Sequence, residues 1–532
     1  MLGDTTEGAI LVAAAKGGVD LAAELARTPR VATFPFDADR KLMSTVHRLG
    51  DGSYEACVKG SPQAVLERCA AVRWLGQDVP LDETLRRQVT SANDAMAAGG
   101  LRVLAVARRA LATGHPSGAE AEHELTLLGL VAMSDPPRPE VVDAVAACRR
   151  AGIRIYMITG DYGLTAEAIA RRVGIVGDGA VRIVNGPDLD AMSDEQLADV
   201  VLESEQLLFA RVKPEHKMRV VAALEGRGEV VAVTGDGVND APALKRASIG
   251  VSMGEGGTDV ARAASDMILL DDSFASIVAA VELGRTVYQN IRKFLIYLFS
   301  HNLAELAPIL VAVFIGFPLI PLSALQVLAI DLGSDVMPAL ALGTERTEPG
   351  TMSRPPRPPG EHLFNWALVR RFCFLGSIQS AGVVAVFFWR IDSAHLPFGA
   401  FTAANPIYRE ALTMTQAGIV VSQFFNSFTV RTEEQSILRV GVFSNRPLAF
   451  AGLFGIFFVA CVSYVPALRA VFNTAPLSAI DWGVLIAFRA LLLVAEEIRK
   501  ALLRHRRRRG QRARPERPAS TPLPAKEEPC TS

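Results

Sequence analysis

The chain has 532 residues, half of them hydrophobic, and its formal net charge is −1. This length predicts several domains, and the near-zero charge excludes nucleic-acid binding by the chain as a whole. The six cysteines are scattered and include no Cys-x-x-Cys pair. This spacing argues against a zinc site or a disulfide framework and is typical of a reducing compartment.

The first 290 residues are predicted to form soluble α/β domains. Short β-rich runs at 103–107, 153–158 and 230–233 alternate with amphipathic segments such as 140–150. Alternation of this kind is typical of parallel sheets whose strands are connected by helices. We therefore expect parallel sheet in this part of the chain.

Beyond residue 292 the sequence becomes predominantly apolar. A transmembrane helix needs about 20 apolar residues, and six runs approach or reach this length. The last of them contains Arg489 and fits the pattern least well. The sequence therefore predicts an all-α domain over 276–503 with six transmembrane helices, near 294–317, 324–343, 372–389, 411–430, 447–465 and 480–495.

The distribution of arginine predicts how these helices are oriented. Arginines are concentrated in the loops after the second and fourth apolar runs and in a basic tail at 504–532, which we expect to be disordered. The positive-inside rule places these segments, and with them both termini, in the cytoplasm. We therefore expect a multi-pass protein of the cell membrane that contacts the lipid bilayer.

The run 234–242 carries the strongest chemical signal. It follows a short apolar stretch, so its acidic residues should lie at the carboxyl end of a buried strand, where open α/β sheets bind ligands. Asp236 and Asp240 supply hard oxygen ligands suited to Mg²⁺ beside a phosphate, and Asn239 lies between them. A second Thr-Gly-Asp occurs upstream at 159–161. The run resembles the hinge motif of P-type cation-transporting ATPases.

The resemblance to these pumps extends over nearly the whole chain, with the motifs in family order. It implies a partial nucleotide-binding domain over 1–130, an incomplete phosphorylation domain over 131–275 and a transmembrane domain over 276–503. The phosphorylation domain would have the Rossmann-type α/β fold of haloacid-dehalogenase-like phosphotransferases. The pattern is similar to that of the calcium and sodium pumps, the type II members, which use ATP and Mg²⁺.

Several short motifs resemble the nucleotide-binding residues of the family. The segment 36–44 resembles the adenine-binding segment, in which Phe36 would stack on the base with Lys41 nearby. An aromatic face and a cation suit a purine and its phosphates. Lys59 would line the ATP pocket, and Arg102 would point at phosphate. The resemblance thus implies an ATP site formed by Glu7, Phe36, Lys41, Lys59, Arg102, Arg138 and Arg211.

A second set of residues resembles the phosphoryl-transfer machinery of the family. The motif 159–161 would contact the transferred phosphoryl group, since a hydroxyl and loop amides are suitable donors to phosphate oxygens. Lys217 matches the lysine that neutralises charge on that group. The resemblance therefore implies a catalytic set of Thr159, Gly160, Asp161, Lys217 and Asn239, with Mg²⁺ held by Asp236 and Asp240.

Polar residues inside the predicted membrane helices indicate a cation site. Carboxylates in membrane segments are costly and are functional candidates by default, and residues three or four apart share a helix face. The stretch 330–338 resembles the sixth span of calcium and sodium pumps, and Gln423 lies where the eighth span of calcium pumps contributes a ligand. The predicted site for Ca²⁺, Na⁺ or K⁺ comprises Asn302, Glu305, Asp331, Ser334, Asp335 and Gln423.

The chain departs from the family pattern in ways that limit the expected activity. It contains no Asp-Lys-Thr-Gly motif, whose aspartate carries the phosphoryl group in these pumps, and no Thr-Gly-Glu loop. We therefore expect the C-terminal portion of an ATP-driven pump, with Met1 interrupting a longer sequence. Such a chain would not hydrolyse ATP alone, and the missing N-terminal half would be its partner.

Two other functions stay open from the sequence. The chain could be a non-enzymatic membrane protein that binds nucleotide and regulates or complements a pump. It could also be a channel or passive carrier built on the six helices, which would leave the nucleotide and phosphate motifs unexplained. Genomic sequence upstream would separate these functions, because a stretch encoding Asp-Lys-Thr-Gly favours the pump and a separate gene for the missing half favours the non-enzymatic protein.

Overall fold

The chain forms two compact units. The computed structural model describes residues 5–37, 40–433 and 435–512. The first unit comprises Met1–Ala280 with Met352–Pro359, and the second comprises Val281–Thr351 with Gly360–Ser532.

The N-terminal part of the first unit is built on a seven-stranded sheet. Its strands are β1 (Arg30–Asp37), β2 (Leu42–Arg48), β3 (Tyr54–Gly60), β4 (Cys69–Trp74), β5 (Gln77–Pro80), β6 (Arg102–Leu111) and β7 (Leu125–Met133). They lie in the order β1-β2-β3-β6-β7-β4-β5, and only β4 and β7 pair in parallel. The expectation of parallel sheet is therefore wrong for the run 103–107, which lies in β6 and pairs antiparallel with both of its neighbours. The helices of this part are α1 (Thr5–Lys16), α2 (Leu21–Arg27), α3 (Pro62–Glu67), α4 (Glu83–Ala98) and α5 (Gly118–Ala121).

One face of this sheet carries the core of the N-terminal part. Successive side chains of a strand point to opposite faces, and alternate residues of β2 and β3 are buried, among them Leu42 and Val58. They pack with Val65 and Leu66 of α3. Each fully buried aliphatic side chain contributes about 1.5–3 kcal/mol to the stability of the fold. A shift of register would expose these side chains, so their burial fixes the register of the strands.

The rest of the first unit contains two three-stranded parallel sheets. The strands are β8 (Met157–Ile158), β9 (Arg182–Asn185), β10 (Leu207–Ala210), β11 (Ala232–Gly235), β12 (Ile249–Met253) and β13 (Met267–Leu269). The sheet orders are β8-β10-β9 and β11-β12-β13, with parallel pairing as the sequence predicts. Within the part of the chain that the structure describes, β8 and β11 each pair on one side only, so each presents an open edge.

Helices connect these short strands. They are α6 (Glu140–Arg150), α7 (Gly163–Arg172), α8 (Gly186–Ala191), α9 (Asp194–Glu203), α10 (Pro214–Gly226), α11 (Ala241–Arg246) and α12 (Asp259–Ala264), with a 3₁₀ turn at Val238–Asp240. The helix predicted at 140–150 is confirmed. The loops that carry 159–161, 211–213 and 236–240 all follow the carboxyl ends of parallel strands, the usual place for ligand-binding loops.

The second unit is helical. Its helices are α13 (Phe274–Phe314, which begins in the first unit), α14 (Ala324–Ile330), α15 (Val336–Gly343), α16 (Trp366–Asp392), α17 (Pro406–Val430), α18 (Ile437–Val440), α19 (Arg446–Tyr464), α20 (Pro466–Phe472) and α21 (Ala479–Arg512). The helix α17 lies at the centre of this unit and is buried along most of its length.

Four helical segments are long and apolar enough to cross a membrane. They are Phe274–Phe314, Ala324–Gly343, Trp366–Asp392 and Arg446–Tyr464. The other two predicted spans coincide with α17 and α21, which carry more polar side chains, such as the buried Gln423 and Glu496. The described residues therefore support four candidate spans, and the count of six stays a prediction.

The last helix extends past the predicted span. It continues to Arg512, so 504–512, predicted as disordered, is helical, while 513–532 lies outside the described residues. Arg489 is buried and donates to the carbonyl oxygen of Gln379 at 3.2 Å. Gly382 and Gly418 leave room for its guanidinium, since a Cβ at either position would collide with it.

A π-helical turn at Asp331–Asp335 separates α14 from α15. Pro338 has no N–H and cannot donate to the carbonyl of residue 334, and π turns of this kind are frequent at functional sites. Gly333 packs against the ring of Phe458 on α19, where a Cβ would collide. The irregular backbone thus lies where the sequence places three cation-site residues.

Candidate nucleotide, phosphoryl and cation sites

Four predicted nucleotide-binding residues lie at one edge of the seven-stranded sheet. Leu42 pairs with Asp37 on β1 and with Gly60 on β3, and Gly60 pairs with Ala105 on β6. This register places the ends of four neighbouring strands side by side. The residues at these ends are Phe36, Lys41, Lys59 and Arg102.

The charges at this edge are partly compensated by α1. The Lys59 ammonium contacts the carboxylate of Glu7, and Arg102 Nη1 lies 3.5 Å from Thr6 Oγ1. Phe36 is 63% exposed, so its ring face is open to a planar ligand. An exposed aromatic side chain at the same edge as three cations has the chemistry that an adenine nucleotide requires.

A polar network that sequence reasoning missed fixes the hairpin between β1 and β2. The buried Glu122 accepts hydrogen bonds from Arg40 Nη1 at 2.5 Å and from Ser44 Oγ at 2.8 Å. Lys41 adopts a left-handed conformation with φ of 58°. Arg40 and Ser44 both lie within the predicted segment 36–44, but nothing in the sequence indicated Glu122, which is 78 residues beyond Ser44.

The loop 159–161 is tied to the turn that follows β10. The Thr159 hydroxyl accepts from the Asp161 N–H at 3.1 Å, and the N–H groups of Val212 and Arg211 donate to the carbonyls of Thr159 and Asp161 at 3.2 and 3.1 Å. The Arg211 guanidinium lies over the Tyr162 ring, 4.7 Å from its centroid. Burial, aided by a hydrogen bond to Asp94, raises the pKa of Tyr162.

The strongest polar contact of the first unit's candidate site joins α10 to the loop 236–240. Lys217 Nζ donates to Asp240 Oδ1 at 2.5 Å, and the Gly237 N–H donates to Asp240 Oδ2 at 3.2 Å. Asp240 is 8% exposed. Gly235 is required, because a Cβ there would collide with the Asp240 side chain. The structure thus brings Lys217 of the predicted catalytic set into contact with Asp240 of the predicted Mg²⁺ pair.

The other residues of this loop face solvent. Asp236 and Asn239 are exposed, and the Asp236 carbonyl accepts from the N–H and hydroxyl of Thr258 at 2.8 and 3.1 Å. One exposed and one lysine-paired carboxylate fit a Mg²⁺ ion, which is usually held by one or two carboxylates and keeps several waters.

Arg138 has a different environment from the other predicted ATP-binding residues. Its Nη1 donates to the carbonyl oxygens of Asp271 and Asp272 at 3.3 and 2.8 Å. These contacts join the segment after β7 to the segment before α13.

In the second unit, the structure gathers most of the predicted cation-site residues and adds one. His301 was not predicted; its Nε2 lies 3.1 Å from Glu305 Oε1 and 2.7 Å from Gln423 Nε2. Ser334 Oγ donates to Gln423 Oε1 at 2.9 Å. The ligand atoms of His301, Asp331 and Asp335 all lie within 4.8 Å of one another.

Asn302 is the predicted cation-site residue that does not join this cluster. It is exposed, whereas His301 and Glu305 are buried. The sequence did contain a signal for His301: its i, i+4 spacing from Glu305 places the two side chains together on one helix face. The prediction used the i, i+3 pair with Asn302 instead.

Comparisons with known proteins agree with these observations. Residues 1–140 match the family model for P-type ATPase, cytoplasmic domain N, and residues 319–502 match that for cation transporting ATPase, C-terminus. Calcium-transporting ATPase 1 of Bacillus cereus is 38% identical over 502 residues, which cover 94% of this chain and 56% of the relative.

Two further relatives have names that refer to other cations or to cations in general. Probable cation-transporting ATPase F of Mycobacterium bovis is 40% identical over 490 residues, covering 91% of this chain and 52% of the relative. Sodium/potassium-transporting ATPase subunit alpha-2 of Sus scrofa is 33% identical over 539 residues, covering 90% and 53%. The chain spans about half the length of the curated relatives it matches.

The fold and these matches define a membrane protein in which a mixed sheet and helix region precedes a helical region with apolar candidate spans. The chain belongs to the P-type ATPase family and corresponds to its C-terminal portion.

Proposed function

We propose that the chain supplies the C-terminal portion of an ATP-driven cation pump of the calcium- and sodium-pump type. The observation that carries this proposal is the group of acidic side chains Glu305, Asp331 and Asp335 within apolar helices. Such acids are costly in a membrane unless they face one another or an ion. Ca²⁺, Na⁺ and K⁺ are the candidate ions, and the cell membrane, with both termini cytoplasmic, is the proposed location.

The first unit would bind ATP and respond to its γ-phosphate. Phe36 would stack on adenine, while Lys41, Lys59 and Arg102 would balance phosphate charge at the same sheet edge. Glu7 would release Lys59 when phosphate competes for the ammonium. The Lys59 ammonium would then be paired with the Glu7 carboxylate when ATP is absent and with a phosphate when ATP is bound.

The loops beside β8 and β11 would hold the phosphoryl group. Thr159 and the amides of 160–161 would donate to its oxygens, and Lys217 would balance its charge. Asp236 and Asp240 would hold Mg²⁺, which neutralises charge on the phosphate oxygens when bound. Arg211, stacked on Tyr162, would keep the turn after β10 in place.

The attacking carboxylate would come from the N-terminal portion of the pump. Each of these side chains already has a supporting role around the phosphoryl group, and none replaces the aspartate of Asp-Lys-Thr-Gly. The open edges of β8 and β11 offer unpaired backbone groups to an added strand, a common mode of β-sheet recognition. We propose that the strand bearing the nucleophile pairs there, and that the chain alone does not hydrolyse ATP.

Co-expression tests this proposal. The chain is purified alone and with the N-terminal portion of the Bacillus cereus relative, and each sample is incubated with radiolabelled ATP and Mg²⁺. An acid-stable, hydroxylamine-sensitive phosphoenzyme is expected only when both portions are present. The matched control carries Asn in place of the nucleophilic aspartate of the N-terminal portion and should show no label. Label on an aspartate of this chain alone would refute the proposal.

A further inference from the structure

His301 is a buried side chain within the acidic group of the second unit. It is 0% exposed and belongs to α13, while Asp331 and Asp335 belong to the π-helical turn. Because these three ligand atoms lie within 4.8 Å of one another, an ion can sit within about 2.8 Å of all of them, against roughly 2.0–2.6 Å for bound zinc or calcium. A small inward movement of the side chains would complete the coordination.

The contacts of His301 place a lone pair inside this group. The nitrogen of the Gln423 amide can only donate, so its approach of 2.7 Å makes His301 Nε2 the acceptor. An imidazole nitrogen that offers its lone pair in this way is able to bind a metal ion. Glu305 Oε1 lies 3.1 Å from the same nitrogen but without hydrogen-bond geometry.

Several atoms of this group have no hydrogen-bond partner although they are buried. They are Tyr297 Oη, His301 Nδ1, Glu305 Oε1 and Asp335 Oδ1. Each unpaired buried polar group costs about 1–3 kcal/mol, and native proteins retain few of them unless a ligand or a functional role accounts for them. Their concentration around His301 indicates that a ligand completes this site.

We propose that His301 is a ligand of the transported cation and that the site selects a divalent first-row transition ion, such as Mn²⁺ or Zn²⁺. The inference rests on the proposed transport function and specifies its substrate. Imidazole suits transition ions, whereas Ca²⁺ prefers oxygen ligands alone. Three carboxylates also favour a divalent ion over Na⁺ or K⁺, because a single positive charge would leave more buried negative charge uncompensated.

The test measures cation binding by the purified full chain in detergent. Mn²⁺ bound to the wild type should show coupling to ¹⁴N in electron spin echo spectra, a signal that needs no variant. His301→Asn substitutes oxygen for nitrogen and should weaken Mn²⁺ and Zn²⁺ binding at least about tenfold, with Ca²⁺ binding unchanged or tighter. His395→Asn is the matched control, since His395 is exposed and lies in the same unit.

The outcomes separate this inference from the proposed function. Absence of ¹⁴N coupling, together with equal Mn²⁺ affinity of wild type and His301→Asn, overturns the role of His301. If Asp335→Asn still abolishes Ca²⁺ binding in that case, the cation site itself stands. Cation affinities unaffected by Asp335→Asn would contradict both the site and the inference.

Discussion

The loop 236–240 and the acidic group around His301 both present carboxylates to a charged ligand, but their charges are balanced differently. In the loop, the Asp240 carboxylate is paired with Lys217 at 2.5 Å. In the helical unit, Asp335 and Glu305 are buried and each keeps one oxygen without a hydrogen-bond partner. In the first site, the charge of the Asp240 carboxylate is neutralised by Lys217. In the second site, the charge of the carboxylates must be neutralised by a ligand.

This difference predicts how the two regions depend on what they bind. A pre-paired carboxylate loses little when its ligand leaves, because the lysine and solvent continue to compensate it. Buried unpaired oxygens carry a desolvation cost that only a cation removes. In the second unit, a substitution that removes the partner of a buried charge should therefore lower the free energy of unfolding strongly. In the first unit, substitutions at the site should mainly lower the affinity for the ligand.

The largest expected effect is at the buried ion pair between Arg431 and Glu345. Arg431 Nε and Nη2 donate to the two carboxylate oxygens at 2.9 and 3.0 Å, and the pair is almost fully buried. Glu345→Gln leaves the guanidinium without a counter-charge and should lower the free energy of unfolding by about 3–5 kcal/mol. Denaturant unfolding of the chain in detergent measures this.

A more exposed pair in the same unit serves as the control. The side chains of Arg390 and Glu410 are 28% and 30% exposed, so Glu410→Gln should cost no more than about 1 kcal/mol. Equal losses for the two substitutions would show that burial does not decide the strength of ion pairs here.

The next effect concerns the backbone of the loop 236–240. Gly235→Ala forces a Cβ into the Asp240 side chain and should destabilise the first unit by about 1–3 kcal/mol through overpacking. It should also separate Asp240 from Lys217 and weaken Mg²⁺ binding. Gly237→Ala is the matched control, because its Cβ would meet nothing closer than 3.6 Å. Calorimetry with Mg²⁺ that shows both variants equally impaired would contradict the role of Gly235.

A smaller effect is expected on nucleotide affinity. Lys59→Glu places a negative charge at the sheet edge and should weaken binding of a fluorescent ATP analogue by about tenfold, the value of one charge-assisted hydrogen bond. Lys16→Glu makes the same change in charge on an exposed position of α1 and should leave the affinity within about twofold. Equal affinities of wild type and Lys59→Glu would contradict the proposal that this sheet edge binds the nucleotide.

The smallest effect is a pH dependence of the buried ion pair. Burial acts to raise the pKa of Glu345, but hydrogen bonds from Arg431 and Asn445 outweigh it, and the pKa lies below its usual range. A lowered pKa in the folded state means that the stabilisation is complete above the ordinary value of about 4.3 and is lost as the pH falls through the folded value. The stability difference between wild type and Glu345→Gln should stay constant from about pH 7 to 5.5. A difference that shrinks within that window would contradict this sign.

Short contiguous motifs were predictable from the sequence. The resemblance named Lys217 and Asp240 as site residues and assigned Phe36, Lys41, Lys59 and Arg102 to one ATP pocket. It did not state which of these side chains contact one another. Local spacing also predicted that Glu305 and Asp335 would be buried acids, because apolar neighbours surround both.

Long-range partners could not be predicted in this way. Glu122 reaches Arg40 across 82 residues and Gln423 reaches His301 across 122, distances over which local periodicity carries no information. Long-range packing also explains why composition identifies four candidate spans and not six. The polar side chains of helix α17 are buried against neighbouring helices. Its composition alone therefore makes the helix look more exposed to its surroundings than it is.

The central claim is that the buried acidic group binds a cation. The direct measurement is the free energy of unfolding of the purified chain with and without Ca²⁺ or Mn²⁺, for wild type and Asp335→Asn. A cation at 100 times its dissociation constant should stabilise the wild type by about 2.7 kcal/mol and should not stabilise Asp335→Asn. The same stabilisation in both proteins, or none in the wild type with either ion, would contradict the claim.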